Sequence, residues 1–484
     1  MKKLMKGNEA IAEAAIQAGC RYFFGYPITP QNQIPEYMSK RMPQVGGCFL
    51  QAESEVSAIN MVYGAAGAGA RVMTSSSSPG ISLKQEGISY IVGSELPCVI
   101  VNIVRGGPGL GGIQPAQSDY YQSTRGGGHG DYRMCVLAPS SVQEAVSLTQ
   151  DAFDIADRYR NPVMVMGDGL IGQMMEPVDM EAAQNREPAA GLPEKTWAAT
   201  GHKATEEAPR AIINSLYIDP AVLEKHNLKL QAKYDEMEAN ECRWQEELLE
   251  DAEIVLVAYG TTSRIARSAM RKCREAGIKV GLLRPITLWP FPTDAIRKTL
   301  NTATRYLCVE MSMGQMVDDV RLAVDGARPV DFYGRVGGMV PTVAELVAEI
   351  TKLHGTPVES RFAVDFEKQL DTFAKQINQT AETVGAKLTD VGKKLDEKLK
   401  SPEVADKTVE IKQKATTAAE KGKQGLVKGA RTVMDVITSA LNTVKKDLED
   451  IEAEQKAAQG NVNTDDGADE SGEAAAEVGK GVEE

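Results

Sequence analysis

Residues 97–105 read Pro-Cys-Val-Ile-Val-Asn-Ile-Val-Arg, and the fold class follows from this stretch. Apolar side chains occupy both odd and even positions between Cys98 and Val104, so both faces of the predicted strand are apolar. That pattern is typical of a parallel sheet covered by helices on both faces. Residues 162–167 form a second such stretch after the helical pattern of residues 141–158. Strands alternating with helices at this spacing predict an α/β fold with a parallel sheet.

The same alternation runs through the first 180 residues and returns after residue 251. Asn8 is expected to cap a helix that ends near Ala18. Further elements of the first half are predicted as strands at 21–25 and 71–74, a helix at 55–70 and a loop at 75–80. In the second half we predict strands at 252–259, 279–283, 306–310 and 329–333. The first of these strands is followed by residues 260–263 and a helix that runs to 276, and a last helix is predicted at 343–354.

Composition divides the chain into a folded part and a different C-terminal part. The net charge of −13 splits into −7 for residues 1–360, +1 for 361–458 and −7 for 459–484, and no aromatic residue follows Phe373. We therefore predict two parallel-sheet α/β domains, joined by a linker with a charged helix from about Pro220 to Leu249. An amphipathic, low-complexity helical extension and a disordered acidic tail follow them. The predicted limits are 1–182, 183–250, 251–356, 357–458 and 459–484.

Charge, hydropathy and cysteine spacing argue against several classes of function. A net-negative chain without a basic stripe is a poor nucleic-acid binder. No run of about 18 apolar residues is present, so no membrane span is expected, and the N-terminus lacks a secretory signal. The seven cysteines and four histidines are too dispersed for a zinc or iron–sulfur site. We therefore expect a cytoplasmic protein with reduced thiols and no metal ligands of its own.

Two motifs resemble cofactor sites but lack the context that such sites need. Residues 107–112, Gly-Pro-Gly-Leu-Gly-Gly, satisfy the GxGxxG pattern, yet Pro115 interrupts the helix that a dinucleotide site requires. Gly167-Asp168-Gly169 resembles the start of the magnesium motif of thiamine-diphosphate enzymes, but the pair of Asn residues that completes this motif is missing. A turn at a strand end is therefore the better interpretation of Asp168.

Polar and glycine-rich segments follow the predicted strands of the first domain, where open α/β sheets bind ligands. They are Gly-Tyr-Pro-Ile-Thr-Pro-Gln-Asn at 25–32, Gln-Ala-Glu-Ser-Glu-Val-Ser-Ala at 51–58, Thr-Ser-Ser-Ser-Ser-Pro-Gly at 74–80 and Arg-Gly-Gly-Pro-Gly-Leu-Gly-Gly at 105–112. Through these segments the chain resembles the 2-oxoacid:ferredoxin oxidoreductases, specifically the alpha-type subunit with the pyrimidine-binding domain for thiamine diphosphate. Residues 309–316, Val-Glu-Met-Ser-Met-Gly-Gln-Met, are similar to a segment of that family's transketolase C-terminal-like domain.

The resemblance covers residues 1–355 and implies a thiamine-diphosphate pyrimidine-binding fold followed by a transketolase C-terminal-like fold. Residues 30–35 and 126–132 are most similar to the branched-chain, 2-oxoisovalerate members, and the 2-oxoglutarate members are a close alternative. The implied reaction is the oxidative decarboxylation of a 2-oxoacid to an acyl-CoA and CO2. It depends on thiamine diphosphate and coenzyme A and reduces ferredoxin.

By this resemblance Glu55 corresponds to the carboxylate that hydrogen-bonds the aminopyrimidine ring of thiamine diphosphate. A proton shared between a carboxyl group and the ring nitrogen favours the imino tautomer, whose nitrogen then removes the proton from the thiazolium carbon. The alternative for Glu55 is a structural role, in which its charge stabilises a helix N-terminus.

Thr29 and Arg105 correspond to the family's contacts to the substrate, and with Glu55 they complete the predicted catalytic set. A guanidinium matches the carboxylate of a 2-oxoacid in bidentate geometry. The alternative for Arg105 is an ion pair with an acid such as Asp119, and Thr29 has the alternative of capping a turn. Individual roles are not assigned to residues 75–78 or to the glycines at 111 and 112.

The missing motifs imply that this chain carries half of a shared site. The resemblance places the diphosphate and its Mg2+ on a thiamine-diphosphate-binding beta subunit, and iron–sulfur clusters on a ferredoxin-like delta subunit. A gamma subunit, coenzyme A as co-substrate and external ferredoxin are the other implied partners. Two alternatives remain for the body of the chain: a non-catalytic structural subunit, or a single-chain carboligase, which would need the metal motif that is absent.

The extension from residue 357 has no counterpart in the family. It is interpreted either as a solvated, partly helical segment or as a helical hairpin or coiled coil that docks another subunit or a scaffold. Reversible association with a membrane surface is a third interpretation, which its balanced charge and missing aromatic residues disfavour. Glycines at 385, 392, 422, 425 and 429 weaken its helices by about 1 kcal/mol each, which favours the first interpretation.

Overall fold

The computed structural model describes residues 2–181, 189–201, 205 and 210–356. The predicted extension at 357–458, the predicted tail at 459–484 and part of the predicted linker lie outside these residues. Everything described belongs to one compact unit, Met1–Glu367.

The strands of the described residues are β1 (Lys3–Lys6), β2 (Tyr22–Gly25), β3 (Cys48–Gln51), β4 (Val72–Ser76), β5 (Cys98–Val104), β6 (Cys135–Leu137), β7 (Pro162–Asp168), β8 (Met175–Val178), β9 (Trp244–Glu247), β10 (Ile254–Val257), β11 (Val280–Pro285), β12 (Thr287–Trp289), β13 (Arg305–Glu310) and β14 (Val330–Gly334). The helices are α1 (Gly7–Gln17), α2 (Gln33–Arg41), α3 (Glu55–Gly67), α4 (Ser78–Gly93), α5 (Tyr120–Thr124), α6 (Val142–Tyr159), α7 (Gly169–Gln173), α8 (Pro220–Glu241), α9 (Gly260–Glu275), α10 (Thr293–Thr299), α11 (Met316–Val324) and α12 (Val343–His354). A short 3-10 helix spans Met42–Val45.

A seven-stranded sheet forms the frame of the first half, in the order β12-β6-β7-β5-β4-β2-β3. Its pairs are parallel except for β12 with β6. Strand β5, predicted from its two apolar faces, lies near the middle between β4 and β7, and all of its residues are buried. Its residues are buried on both sides because helices cover both faces of a parallel sheet, as the sequence predicts.

A five-stranded sheet forms the frame of the second half, in the order β14-β13-β10-β11-β9. Its pairs are parallel except for β9 with β11. A separate antiparallel pair joins β1 to β8. The predicted fold class, α/β with two parallel sheets, is therefore confirmed.

Strand β12 and buried polar contacts join the two halves. Strand β12 follows β11 of the second sheet, yet it pairs with β6 at the edge of the first. Gln117 links the halves again, because its Nε2 donates to the carbonyl of Tyr259 (2.9 Å) and its Oε1 accepts from the amide of Met311 (2.9 Å). The second half is thus built into the edge of the first.

Three local predictions were wrong, each because a tertiary contact outweighs a local signal. Residues 75–80 are not a loop, since β4 extends to Ser76 and α4 starts at Ser78 with Pro79 in its first turn. The charged helix ends at Glu241, and residues 244–247 form β9 against β11 instead of continuing it. Asn8 does not cap α1: its buried Nδ2 donates to the carbonyl of Pro30 (2.9 Å) and to Gln33 (2.8 Å).

Candidate active site

The segments singled out in the sequence meet at one edge of the first sheet. Strands β2, β4 and β5 are adjacent and parallel, so the residues that follow them lie side by side at their carboxyl ends. Arg105, directly after β5, donates from Nη1 to the carbonyl of Thr29 (2.9 Å), which follows β2. Its backbone amide donates to the Oγ of Ser78 (3.1 Å), the first residue of α4, which follows β4. The structure therefore brings Thr29 and Arg105 into contact.

Glu55 is the first residue of α3 and is 6% exposed. The helix starts there because Ser54, at the N-cap, accepts a hydrogen bond from the amide of Ser57 (3.2 Å). Close approach of α4 encloses the carboxyl group: a Cβ on Gly80 would lie 2.5 Å from Glu55 Oε1. Among the described residues, none donates a hydrogen bond to this carboxyl group. Its position also suits the structural alternative, a negative charge at a helix N-terminus.

Serine hydroxyls surround the same point at the end of β4. Ser75, Ser76 and Ser77 are fully buried. Ser75 Oγ donates to Gln31 Oε1 (2.6 Å), whereas the hydroxyls of Ser76 and Ser77 have no hydrogen-bond partner within the described structure. The Ser76 hydroxyl and the Glu55 carboxyl group both lie against Gly80. Buried hydroxyls without partners are costly, so an unpartnered hydroxyl near a buried carboxyl group fits a site completed by a polar ligand.

Arg105 is 7% exposed, and its guanidinium is held by main-chain carbonyls. Besides the bond to Thr29, Nη2 donates to the carbonyl of Leu110 (3.1 Å), and Nε is buried without a partner. The alternative ion pair with Asp119 is not formed, since Asp119 Oδ2 accepts from Asn102 (2.9 Å) and burial raises the pKa of this carboxyl group. The positive charge of Arg105 is thus positioned by neutral groups.

The Thr29 side chain is exposed, and its hydroxyl accepts only a long contact of 3.5 Å from Asn32 Nδ2. A contact of that length adds little to the turn. The hydroxyl is therefore accessible, and the carbonyl of the same residue accepts the hydrogen bond from Arg105.

One polar residue near the site was missed by the sequence analysis. Lys84 lies on α4, fully buried, and its Nζ donates to Thr74 Oγ1 (2.6 Å) and to the carbonyl of Ser75 (3.1 Å). A signal was present, because Lys84 interrupts a helical apolar stripe that includes Ile81, Ile88 and Ile91. The predicted loop at 75–80 overlaps the start of α4, so the sequence prediction contains no helix on which this stripe would lie.

Both look-alike motifs have structural explanations. Asp168 is the N-cap of α7 and accepts from the amides of Leu170 (2.9 Å) and Ile171 (3.2 Å). It also accepts from Thr261 Oγ1 (2.8 Å) and so helps to join the two halves. Residues 107–112 form a loop in which Gly109 and Gly111 have positive φ, and the next described helix starts only at Tyr120.

Comparisons with known proteins agree with this geometry. Residues 13–243 match the family model described as "Pyruvate flavodoxin/ferredoxin oxidoreductase, thiamine diP-bdg", and residues 252–346 match "Pyruvate:ferredoxin oxidoreductase core domain II". The ketoisovalerate oxidoreductase subunit VorB of Methanothermobacter thermautotrophicus is 51% identical over 355 residues, which cover 73% of this chain and 98% of VorB.

The chain belongs to the 2-oxoacid:ferredoxin oxidoreductases. It is a subunit of that oxidoreductase family and contains the thiamine-diphosphate-binding domain. The predicted resemblance is therefore confirmed.

Two further matches have lower sequence identity to this chain. The 2-oxoglutarate synthase subunit KorA of Methanothermobacter thermautotrophicus is 38% identical over 372 residues, covering 72% of this chain and 98% of KorA. Among solved structures, the 2-oxoglutarate:ferredoxin oxidoreductase from Magnetococcus marinus, with 2-oxoglutarate, coenzyme A and succinyl-CoA bound, aligns with a TM-score of 0.64 and 27% identity. That alignment covers 72% of this chain and spans 65% of the Magnetococcus chain. No helix among the described residues is long and apolar enough to cross a bilayer.

Proposed function

We propose that this chain provides the pyrimidine half of a thiamine-diphosphate site in an oxidoreductase that decarboxylates a branched-chain 2-oxoacid. One 2-oxoacid, one coenzyme A and two oxidised ferredoxins give one acyl-CoA, one CO2, two reduced ferredoxins and one proton. The observation that supports this proposal best is the Glu55 carboxyl group, which is buried near the unpartnered Ser76 hydroxyl and receives no hydrogen bond from a described residue.

Glu55 is the residue we assign to the aminopyrimidine ring. When bound, thiamine diphosphate supplies the nucleophilic carbon and the electron sink for decarboxylation. Glu55 would share a proton with the ring nitrogen, and the close approach of Gly80 to its carboxyl group would keep water from competing for that proton. The hydroxyls of Ser76 and Ser77 are further candidates to contact the ring, because both are buried and unpartnered.

Arg105 and Thr29 are the residues we assign to the substrate. Arg105 carries a positive charge that no described acid neutralises, and its Nε has no hydrogen-bond partner within the described structure. A 2-oxoacid carboxylate supplies both the missing charge and an acceptor. Thr29 has an exposed side chain, and its main-chain carbonyl accepts from this guanidinium. Its hydroxyl would donate to the same carboxylate or to the 2-oxo group.

A branched-chain substrate is favoured by the comparisons. Identity is 51% to a subunit named for ketoisovalerate and 38% to one named for 2-oxoglutarate, over similar lengths. Turnover with 3-methyl-2-oxobutanoate should therefore exceed turnover with 2-oxoglutarate. Equal or reversed preference would move the proposal to the 2-oxoglutarate enzymes.

Several parts of the complete enzyme are assigned to partner subunits. A beta subunit supplies the diphosphate and Mg2+ contacts, because Asp168 is already used as a helix cap in this chain. Gamma and delta subunits complete the complex, with iron–sulfur clusters on the delta subunit and external ferredoxin as acceptor. We also place the enzyme in the cytoplasm, where its seven unpaired cysteines stay reduced.

The test is Glu55→Gln in the purified complex, assayed with 3-methyl-2-oxobutanoate, coenzyme A and a low-potential dye. The amide cannot share a proton with the ring nitrogen as a carboxyl group does, so we expect turnover to fall about 10²- to 10⁴-fold. Assembly should be unchanged, because glutamine has the same shape.

Glu53→Gln is the matched control, because it makes the same change two residues away on an exposed side chain. It should leave turnover at the level of the unmodified complex. Full oxoacid-dependent dye reduction by the Glu55→Gln complex would show that the assignment of Glu55 is wrong.

A further inference from the structure

Lys84 is a buried cation in the first half of the molecule. It lies on the side of α4 that packs on the sheet and has no exposed surface. Two acceptors at the end of β4, the Thr74 hydroxyl and the Ser75 carbonyl, hold its ammonium group at 2.6 Å and 3.1 Å. Burying an ammonium group with only neutral acceptors is unfavourable, so a nearby negative charge would be expected.

Glu55 supplies that charge. Burial lowers the pKa of Lys84 to about 7, and the carboxylate of Glu55, across from it on α3, is the larger of the charges that oppose this shift. The other is Cys98 on β5, but burial raises the pKa of this thiol to about 12 and so keeps it neutral near pH 7. Among the described titratable groups, Glu55 is therefore the charge that faces Lys84.

Helical geometry explains how α4 contacts Glu55 at one position and carries Lys84 at another. Gly80 and Lys84 are four residues apart and share one face of α4. Gly80 lies directly against Glu55 Oε1, and Lys84 follows one turn deeper, with its ammonium group at the carbonyl of Ser75. The two charged groups form no direct ion pair. The oxygens of the carboxyl group therefore remain available to a ligand.

We propose that Lys84 is a positioning residue for Glu55, and that its buried charge sets the protonation of the carboxyl group that contacts the cofactor ring. This inference rests on the proposed function, because it gives Glu55 the aminopyrimidine as its ligand. Lys84 itself does not touch cofactor or substrate. It acts through the electrostatic field at Glu55.

The sign of the effect follows from charge alone. A positive charge near an acid favours the deprotonated form, so removing the charge moves the acid's titration to higher pH. Because the pKa of Lys84 is about 7, its side chain carries a positive charge below that pH, and this charge can then act on Glu55. In a buried site a unit charge several ångströms away shifts a titration by about one pH unit or more. When the amino and imino forms of the bound cofactor are followed against pH, the acidic midpoint should therefore lie at a higher pH in a variant with a neutral residue at position 84.

The experiment uses the intact complex loaded with thiamine diphosphate and Mg2+, as wild type, Lys84→Met and Lys233→Met. The readout is the near-ultraviolet circular dichroism of the amino and imino forms of the bound cofactor, recorded against pH. Lys233 is the matched control: burial lowers its pKa to about 8, but it contacts Glu95 (3.4 Å) and the carbonyl of Arg160 (3.3 Å), not Glu55. We expect an upward shift of about one unit for Lys84→Met and none for Lys233→Met.

Three results would overturn the inference. An unchanged midpoint in a loaded Lys84→Met complex would do so while leaving the proposed function intact. Equal shifts in both lysine variants would mean that the effect is not local to Glu55. A wild-type complex that binds no thiamine diphosphate would instead contradict the proposed function, and the inference with it.

If the Lys84→Met chain does not assemble, Thr74→Val takes its place. This substitution removes one acceptor of the ammonium group and keeps both shape and lysine. It favours the neutral lysine, so the midpoint should again move upward, by less than in Lys84→Met. A loaded Thr74→Val complex with the wild-type midpoint would count against the inference.

Discussion

At the residue scale, Gly80 shows how closely α4 approaches the candidate site. A Cβ on Gly80 would overlap Ser76 Oγ and lie 2.5 Å from Glu55 Oε1. Ser76 cannot retreat easily, because it is fully buried in β4, whereas the Glu55 carboxyl group is the end of a flexible side chain and would have to move. Glycine is therefore required here for space, not for an unusual backbone conformation.

Gly80→Ala should destabilise the chain by about 1–3 kcal/mol, as overpacking of a buried site does. It should also weaken thiamine-diphosphate binding, because the added methyl group displaces the Glu55 carboxyl group. Gly64→Ala is the control: it lies on the same helix as Glu55, and nothing is within 4 Å of its Cβ position. That variant should be as stable as the wild type or more stable by up to about 1 kcal/mol. Chemical denaturation and cofactor titration measure both effects, and equal behaviour of the two variants would contradict the close contact.

At the scale of elements, strand β12 decides how the halves are joined. It pairs antiparallel with β6, although it lies between elements of the second half. Trp289, in β12, is 8% exposed, and its ring packs edge-on against Tyr234 of α8 with centroids 6.1 Å apart. One short strand thus brings together the first sheet, the second half and the charged helix.

Trp289→Ala should cost about 3–5 kcal/mol, the usual range for a buried tryptophan. Trp244→Ala is the comparison, because Trp244 is 36% exposed on β9 and should cost less than about 1 kcal/mol. Since the halves share β12, unfolding followed by circular dichroism and by fluorescence should give one coincident transition in the wild type. Two separate transitions in the wild type would show that β12 does not couple the halves.

At the scale of the whole molecule, the relatives and the first compact unit are similar in length. The alignment with VorB covers 98% of that subunit in 355 residues, and the first compact unit ends at Glu367. The last described contact at this end is the bond from Arg305 Nη2 to the carbonyl of Thr356 (2.9 Å).

A chain that stops at Glu367 should therefore assemble with its partners and turn over the 2-oxoacid as the full chain does. Size-exclusion chromatography and the dye assay test this directly. Loss of a partner subunit from the shortened complex would instead support the hypothesis that the C-terminal extension docks another subunit.

Periodicity in the sequence was enough to determine the fold class. Strand β5 is apolar on both faces and lies in a series of alternating strands and helices, a combination typical of a helix-covered parallel sheet. The positions of Glu55, Thr29 and Arg105 also followed, because residues after parallel strands gather at one edge. Their roles remain proposals.

Tertiary structure alone decided the rest, for a physical reason. Local patterns encode which face of an element is buried, but they do not encode which distant group meets a buried polar atom. The sequence around Lys84 therefore gives no sign of its partner. Only the packing of α4 brings it near Glu55, which lies 29 positions earlier in the chain. Strand β12 is the same case among elements, because its pairing with β6 joins residues about 150 positions apart.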